Sequence, residues 1–398
     1  MLALLIVVVS LVLLPLVGEL AARWWLRHQS AYYVFPPGLR LLLHIDRDTF
    51  PELEPVVRYE VNSDGERGGE VPRLVPGETL YRVLVVGGSQ PEGYLLDQET
   101  SWPGALERLL AAPDRLEKLG ASRVHVGSIA RSGVGSEALD LMLSRVLPRY
   151  PRLSMIVILV GASDVLRWLE EGAPSSGCAP ARTSDIFRCH PEGPFGWRPK
   201  STAIVEIVSR LRRRALRTVD THHRVGKWIG QARAMRARAK VIRATVPDAT
   251  PMLETFDRHF RRVIDQAKAH ADRVVVVRQS WFDKKTLTPE EAAHMWHGGA
   301  GRAWCEEVST YFSFEVTSEL MAAMDARADH IARACGVEQV DLRSILEPSL
   351  DTYYDFFHLT PSGAAEVATA VAEVILHQGL RTGASREAYT SCAGLRAS

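Results

Sequence analysis

The chain has 398 residues, with 48 Lys and Arg against 47 Asp and Glu for a formal net charge of +1. That balance gives no general pull towards polyanions and no nucleic-acid motif occurs, so a nucleic-acid partner is excluded. The five cysteines lack zinc-type spacing, which argues against a structural metal framework.

Met1 to Val17 is almost wholly apolar, broken only by Ser10 and Pro15, and helix-compatible residues continue to Arg27. This is near the lower limit of a spanning helix, roughly 17–25 residues. A cleaved leader would carry a basic start and a small-x-small cleavage site, and neither is evident. Residues 1–27 are therefore expected to form an uncleaved membrane anchor, followed by an extended connector or β segment over 28–80. From 81 to 378 strands and helices alternate. Strands are expected near 81–87, 122–127, 154–160, 273–279 and 338–342. Helices fall near 99–112, 136–148, 200–217, 252–271, 315–335 and 361–377. This pattern predicts an α/β domain, a three-layer α/β/α arrangement around a five-stranded parallel sheet. Val274 to Val277 reads as a strand buried on both faces.

Within the domain, about 200–246 reads as a basic helical insertion. Arg210, Arg212, Arg213, Arg214, Arg217, Arg224, Lys227, Arg233, Arg236, Arg238, Lys240 and Arg243 face only Asp220 there. Ile204, Ile207, Val208 and Leu211 recur at helical spacing. The run from Arg210 to Arg243 suits anionic headgroups beside the anchor, an acidic polysaccharide, or plain solvent, and its composition leaves all three open. Residues 379–398 are polar and expected to be disordered.

The chemistry-bearing residues are Ser89, Asp355 and His358. Ser89 follows the hydrophobic run Val83-Leu84-Val85-Val86 and the pair Gly87-Gly88. A serine hydroxyl becomes a nucleophile only when a positioned base takes its proton and a third group orients that base. Asp355-Phe356-Phe357-His358 supplies both from one short segment. Taken singly, each residue has an ordinary reading: a tight turn, a carboxylate at a helix start, a surface histidine. Ser89, Ser128 and Ser163 all fall at the carboxyl ends of expected strands, where sites in such sheets collect.

Four segments in order resemble the blocks of the SGNH (GDSL-like) hydrolases. They are Val85 to Gly93, Val124 to Gly133, Ile158 to Asp164, and Asp355 to Thr360. The resemblance spans roughly residues 58 to 378 and implies the SGNH hydrolase fold, flavodoxin-like. It also implies a Ser89–His358–Asp355 triad, with the Ser89 and Ala130 N–H groups and Ser163 facing the oxyanion. Two departures stand out. Gly88-Ser89 replaces the familiar Asp-Ser, and Ser163 replaces an asparagine that donates a side-chain N–H. Losing one such donor costs about 2.7–4 kcal/mol, or roughly 100- to 1000-fold in turnover. Asn62-Ser63-Asp64-Gly65-Glu66-Arg67 resembles an Asn-x-x-Gly-x-Arg turn found ahead of the catalytic domain in anchored relatives.

The resemblance implies a serine esterase that removes an acyl group, acetyl being the expected one, from a small-molecule, carbohydrate or envelope-polymer ester. An acyltransferase using the same site and a catalytically silent binding module stay open beside it. No cofactor and no metal are expected. His294-Met295-Trp296-His297 reads as an aromatic loop near the cleft, because its histidines lack the i, i+4 spacing of a helical zinc pair. Arg23, Arg27 and Arg40 after the span favour a cytoplasmic domain. The resemblance and a disulfide between Cys178 and Cys189 would favour an extracytoplasmic one, which is the expectation adopted; two unpaired thiols are the alternative for those cysteines.

Overall fold

The computed structural model describes residues 2–29, 31–192, 196–198 and 200–378; the tail expected to be disordered lies outside them. In chain order, α1 (Leu2–Gln29) leads into β1 (Arg40–Ile45) and β2 (Val56–Glu60). Next come β3 (Leu80–Gly87), α2 (Ser89–Glu92), α3 (Trp102–Leu110), α4 (Pro113–Leu119), β4 (Arg123–Ser128) and α5 (Ser136–Val146). Then follow β5 (Leu153–Leu159), α6 (Ala162–Glu170), α7 (Thr183–Ile186), α8 (Ala203–Leu216), β6 (Asp220–Val225), α9 (Lys227–Ala237) and β7 (Val241–Arg243). The last part holds α10 (Thr250–His270), β8 (Ala271–Arg278), α11 (Pro289–His294), β9 (Thr310–Phe312), α12 (Phe314–Ala334), β10 (Glu338–Asp341) and α13 (Pro361–Gln378).

Strands β10-β8-β5-β3-β4 form one sheet in that spatial order, and every neighbouring pair is parallel. This is the doubly wound, flavodoxin-like order, with its switch point between β3 and β5. Parallel strands covered on both faces should be apolar throughout, and Val83 to Val86, Met155 to Leu159 and Val274 to Val277 are all buried. Because right-handed crossovers change direction at the switch point, helices fall on opposite faces. Helices α3 and α13 pack together, while α10 packs against both α5 and α12. The turn out of β3 requires glycine at 87. Gly87 has φ of 149°, and an added Cβ would come within 1.8 Å of the Leu159 carbonyl oxygen.

Two segments that read as separate in sequence join in space. Connector strand β1 pairs antiparallel with β2 and parallel with β6 from the basic insertion. The insertion is therefore not purely helical. Two short strands, β6 and β7, flank α9, and β7 pairs with β9 far downstream.

Beneath β3 and β4 lies a buried ion cluster. Glu66 sits 2.8 Å from His125 Nε2 and 2.9 Å from Arg82 Nη2. Burial alone pushes the Glu66 carboxyl up, but the His125 hydrogen bond and the Arg82 charge outweigh it and hold it at about 2. Burial likewise pulls the His125 imidazole down, while Glu107 and Glu66 carry it up to about 9. By linkage, His125 contributes stability that is full below its ordinary 6.5 and lost as pH rises through about 9. Glu66 contributes stability present above its ordinary 4.5 and lost as pH falls through about 2. A melting-temperature series across pH should therefore peak between these ordinary values and fall on both sides. His125→Gln should flatten the alkaline limb while leaving the fold intact.

Candidate active site

Ser89 opens the four-residue helix α2 directly beyond the β3 turn, and Gly93 closes that helix in the left-handed region at φ 56°. Asp355 and His358 come from the loop between β10 and α13. They lie before the helix rather than inside it, and Thr360 Oγ1 accepts the Gly363 N–H at the α13 start instead. Two segments separated by most of the domain meet here. Ser89 Oγ lies 2.8 Å from His358 Nε2, and His358 Nδ1 lies 2.8 Å from Asp355 Oδ2.

Asp355 is fully buried, yet its carboxyl is held well below the usual carboxylate range. Burial opposes this; the facing His358 and His297 and the hydrogen bonds it accepts overcome it. Those bonds come from the Phe357 N–H at 3.1 Å, the His358 N–H at 2.9 Å and Trp296 Nε1 at 2.9 Å. With Asp355 ionised, His358 Nδ1 is the nitrogen that carries the proton, and Nε2 is turned towards the Ser89 hydroxyl.

Trp296 and His297 come from the loop that the sequence reading placed near the cleft as aromatic packing. Their position is closer than that. His297 packs at a tilt against Trp296, with ring centroids 3.7 Å apart and planes 33° apart, and its ring stands 5.8 Å from that of His358. Burial, with His358, Arg236 and Arg233 nearby, drives the His297 imidazole down to about 3 even though Asp355 opposes it. A neutral His297 adds no charge against the imidazolium that proton uptake would create on His358. Among the described residues, His297, Asp355 and His358 are the group whose donor atoms come within 4.8 Å of one another, the spacing a metal ion would need. Asp355 and His358 already bond each other, so a metal there would break the His–Asp pair.

The oxyanion side needs one correction. Ser163 lines the cleft beside Ser89, at the start of α6, and its Oγ lies against Gly88. Ala130 does not reach the cleft: it is buried, and its N–H donates to Ser128 Oγ at 3.3 Å. Gly133, three residues on, lines the cleft with φ 77°, and its N–H has no protein acceptor among the described residues. The position of the second block that reaches the cleft is therefore Gly133, three residues beyond Ala130 and still inside the Val124 to Gly133 segment. Asp164, the acid after Ser163, serves the scaffold. It accepts the Ser136 N–H at 2.9 Å and Ser136 Oγ at 2.6 Å, which ties the start of α5 to α6.

Several residues hold the nucleophile in place. Gln90 Nε2 donates to the Phe357 carbonyl at 2.8 Å, and Gln279 Nε2 donates to Gln90 Oε1 at 2.7 Å. The helix bearing Ser89 is thereby tied to the loop bearing His358. Glu92 Oε2 accepts the Ser132 N–H at 2.6 Å, fixing the residue next to Gly133. The Asn62–Arg67 turn now has a physical function. Asn62 Oδ1 accepts the N–H groups of Asp64 and Glu66, both at 3.0 Å. Arg67 then reaches under α2, donating to the Glu92 carbonyl, to Gly93 at 2.9 Å and to Leu96 at 2.7 Å.

The basic insertion does not form a single charged face. Arg233 donates to the carbonyls of Thr49 at 2.6 Å, Tyr354 at 2.7 Å and His294 at 3.2 Å. Arg236 donates to the carbonyls of His297 and Phe312. Both are largely withdrawn from solvent and secure the loops around Asp355, so the headgroup and polysaccharide readings fail for them. The thiols of Cys178 and Cys189 are free, not bridged.

No known family model matches the sequence, and no curated protein does. Among solved structures it is similar to the acetylxylan esterase Axe2 of Geobacillus stearothermophilus, at 12% identity and a TM-score of 0.38. That alignment covers 75% of this chain and 94% of the other. An α/β hydrolase, LAE5, from the metagenome of Lake Arreo aligns at 10% identity and TM-score 0.40, covering 76% and 96%. A putative lipolytic protein of the G-D-S-L family from Desulfitobacterium hafniense aligns at 11% and 0.36, covering 74% and 99%. At such identities and scores the functional reading rests on this chain's own residues.

Arg67→Leu should strand the buried carbonyl oxygens of Glu92 and Leu96, each costing about 1–3 kcal/mol, while the Gly93 carbonyl keeps the Leu96 N–H. The expected result is a loss of at least about 2 kcal/mol in denaturant unfolding. Arg73→Leu, an exposed position in the same connector, should change stability by less than about 0.5 kcal/mol.

Proposed function

We propose that this chain is a membrane-anchored serine esterase that removes an acyl group, acetyl being the simplest, from an acylated carbohydrate. The single observation that carries the reading is the line of contacts from Ser89 Oγ to His358 Nε2, and from His358 Nδ1 to Asp355. Ser89 Oγ attacks the ester carbonyl while His358 Nε2 takes its proton. The tetrahedral oxyanion is met by the N–H groups of Ser89 and Gly133 and by the Ser163 hydroxyl. His358 returns the proton to the leaving sugar hydroxyl, and the acyl group stays on Ser89. Water then enters and attacks the acyl carbon while losing a proton to the same nitrogen; His358 returns that proton to Ser89 Oγ as the acid leaves. Asp355 stays ionised throughout, fixing the imidazole tautomer and stabilising its charged form.

The exposed indoles and charged groups of the cleft suit a sugar, beside an apolar part of the lining from Leu95, Leu166, Val225 and Ile229. The cleft encloses about 1080 Å³ and is lined by Trp228, Trp296 and Trp304 together with Arg167, Arg302, Glu170 and Glu306. Trp228 and Trp304 are 40% and 49% exposed, so indole faces are free to take sugar rings. Carboxylates and guanidinium groups beside them suit vicinal hydroxyls. A fatty-acyl chain would call for a continuous apolar lining instead.

A fluorophosphonate probe should label the purified protein at Ser89. Ser89→Ala should abolish both labelling and hydrolysis of a short aryl acetate; folded wild-type protein that does neither would overturn the reading in favour of a silent binding module. Trp228→Ala combined with Trp304→Ala should raise KM for an acetylated oligosaccharide about tenfold or more, leaving the aryl acetate unaffected. Equal effects on both substrates would remove the sugar from the proposal. Ser163→Asn should raise kcat on the aryl acetate, since an amide reaches further into the oxyanion position than a hydroxyl. An unchanged rate would show that Ser163 is not a donor.

A further inference from the structure

Helix α8 is built inside out. A helix on a water-exposed surface turns its apolar stripe inward and its charges outward. Here Ala203, Glu206, Ile207, Arg210 and Arg213 face the protein, whereas Ile204, Val205, Val208, Leu211 and Leu216 are exposed, with Arg212 beside them towards the carboxyl end of the helix. The exposed aliphatics Ile204, Val208 and Leu211 recur at i, i+4 and i+7, so they form one continuous row along the helix. The inward charges are matched. Glu206 lies 3.0 Å from Arg210 and 3.5 Å from Arg213, and the Arg210 guanidinium lies over the rings of Trp197 and Tyr33. An exposed aliphatic row with its ion cluster turned inward implies that the medium outside is apolar.

The position of α8 says which medium. α8 begins beside α1, where the Glu19 carboxylate accepts the N–H groups of Ala203 at 2.8 Å and Ile204 at 3.1 Å. Ala22 and Leu26 pack into the same cluster as Ala203 and Trp197, and Arg23 Nη1 donates to the Trp197 carbonyl at 3.0 Å. Among the described residues, α1 is the one helix long and apolar enough to cross a membrane, over Val9–His28. Glu19 lies about nine residues, or about 14 Å along the helix, inside the C-terminal end of that span. Whatever surrounds α1 at Gly18 and Glu19 therefore surrounds the start of α8 as well. Trp24 and Trp25, both exposed, mark the level at which indoles sit between lipid and water.

We propose that α8 is a second membrane element, its Ile204–Val208–Leu211 row lying in lipid alongside α1 and its first turn entering to the depth of Glu19. The proposal rests on α1 being an anchor. It replaces charge attraction by the basic insertion with apolar insertion by one helix of it. The Glu19 carboxylate meets the two N–H groups of α8 that would otherwise face hydrocarbon without acceptors. The catalytic domain is then joined to the bilayer by two adjoining helices that share a core, so its cleft has a fixed bearing to the membrane.

Full-length protein in phosphatidylethanolamine/phosphatidylglycerol nanodiscs tests this. A spin label is attached, through a ketone-bearing amino acid that leaves the native thiols silent, at Val12, Val208, Leu211 or Lys118. Each labelled protein must melt as the unlabelled one does. Collision rates with oxygen, which partitions into lipid, are compared with those of a water-soluble nickel chelate. The expected result is oxygen excess at Val12, Val208 and Leu211, and chelate excess at Lys118 on α4. Chelate excess at Val208 and Leu211 with Val12 still in lipid would overturn the proposal and leave the anchor standing. Shielding of Val208 and Leu211 from both reagents would overturn it in favour of a protein partner or a second copy on that face. Chelate excess at Val12 would overturn the anchor reading, and the proposal with it.

Discussion

The site depends on keeping one carboxylate charged where no water reaches it. Desolvation alone would protonate Asp355, and a protonated acid would neither fix the tautomer of His358 nor favour its charged form. The protein answers with several polar partners on two oxygens, from the indole of Trp296, two backbone N–H groups and the His358 ring. Each of these must itself be held. Trp296 lies on the loop that Arg233 and Arg236 brace through backbone carbonyls. Much of the chain after residue 220 that departs from a plain doubly wound domain thus serves a single ion.

The nucleophile has its own support, drawn from the opposite end of the sequence. A four-residue helix is too short to be stable by itself. Arg67 takes up the carbonyl groups at its end, Glu92 reaches across to Ser132, and Gln90 ties it to Phe357. Arg67 is in turn presented by the Asn62 turn, whose Glu66 is locked by His125 and Arg82. The connector is consequently part of the active-site scaffold, even though it precedes the first strand of the central sheet.

The regular part of the fold was legible in the sequence. All five central strands and the six helices expected from the sequence fall within about three residues of their observed bounds, while α6 and α9 were not foreseen; continuous apolar runs and 3.6-residue periodicity survive in elements buried against a large sheet. The small sheet of β1, β2 and β6 was legible only as an extended or β segment over 28–80. β6 is exposed and carries no alternation, and its parallel pair joins segments far apart in the chain. Ser89, Asp355 and His358 could be located because side-chain chemistry named them. Ala130 was misplaced because a backbone N–H carries no side-chain signature, and only the left-handed turn at Gly133 separates the two candidates. Arg233 and Arg236 were lost within a run of like residues; composition cannot tell an arginine bonded to carbonyls from one in water.

Ser89 and His358 are 269 positions apart. The nucleophile turn, its glycines and its Arg67 brace are all made early, while base and orienter come from nearly the last loop of the domain. Such separation is high contact order, and it makes assembly of the pair a late event in folding. A chain emerging from the ribosome would carry Ser89 without its His358 partner until β10 docks beside β8. A chain cut just before that loop would retain most of the domain yet neither Asp355 nor His358.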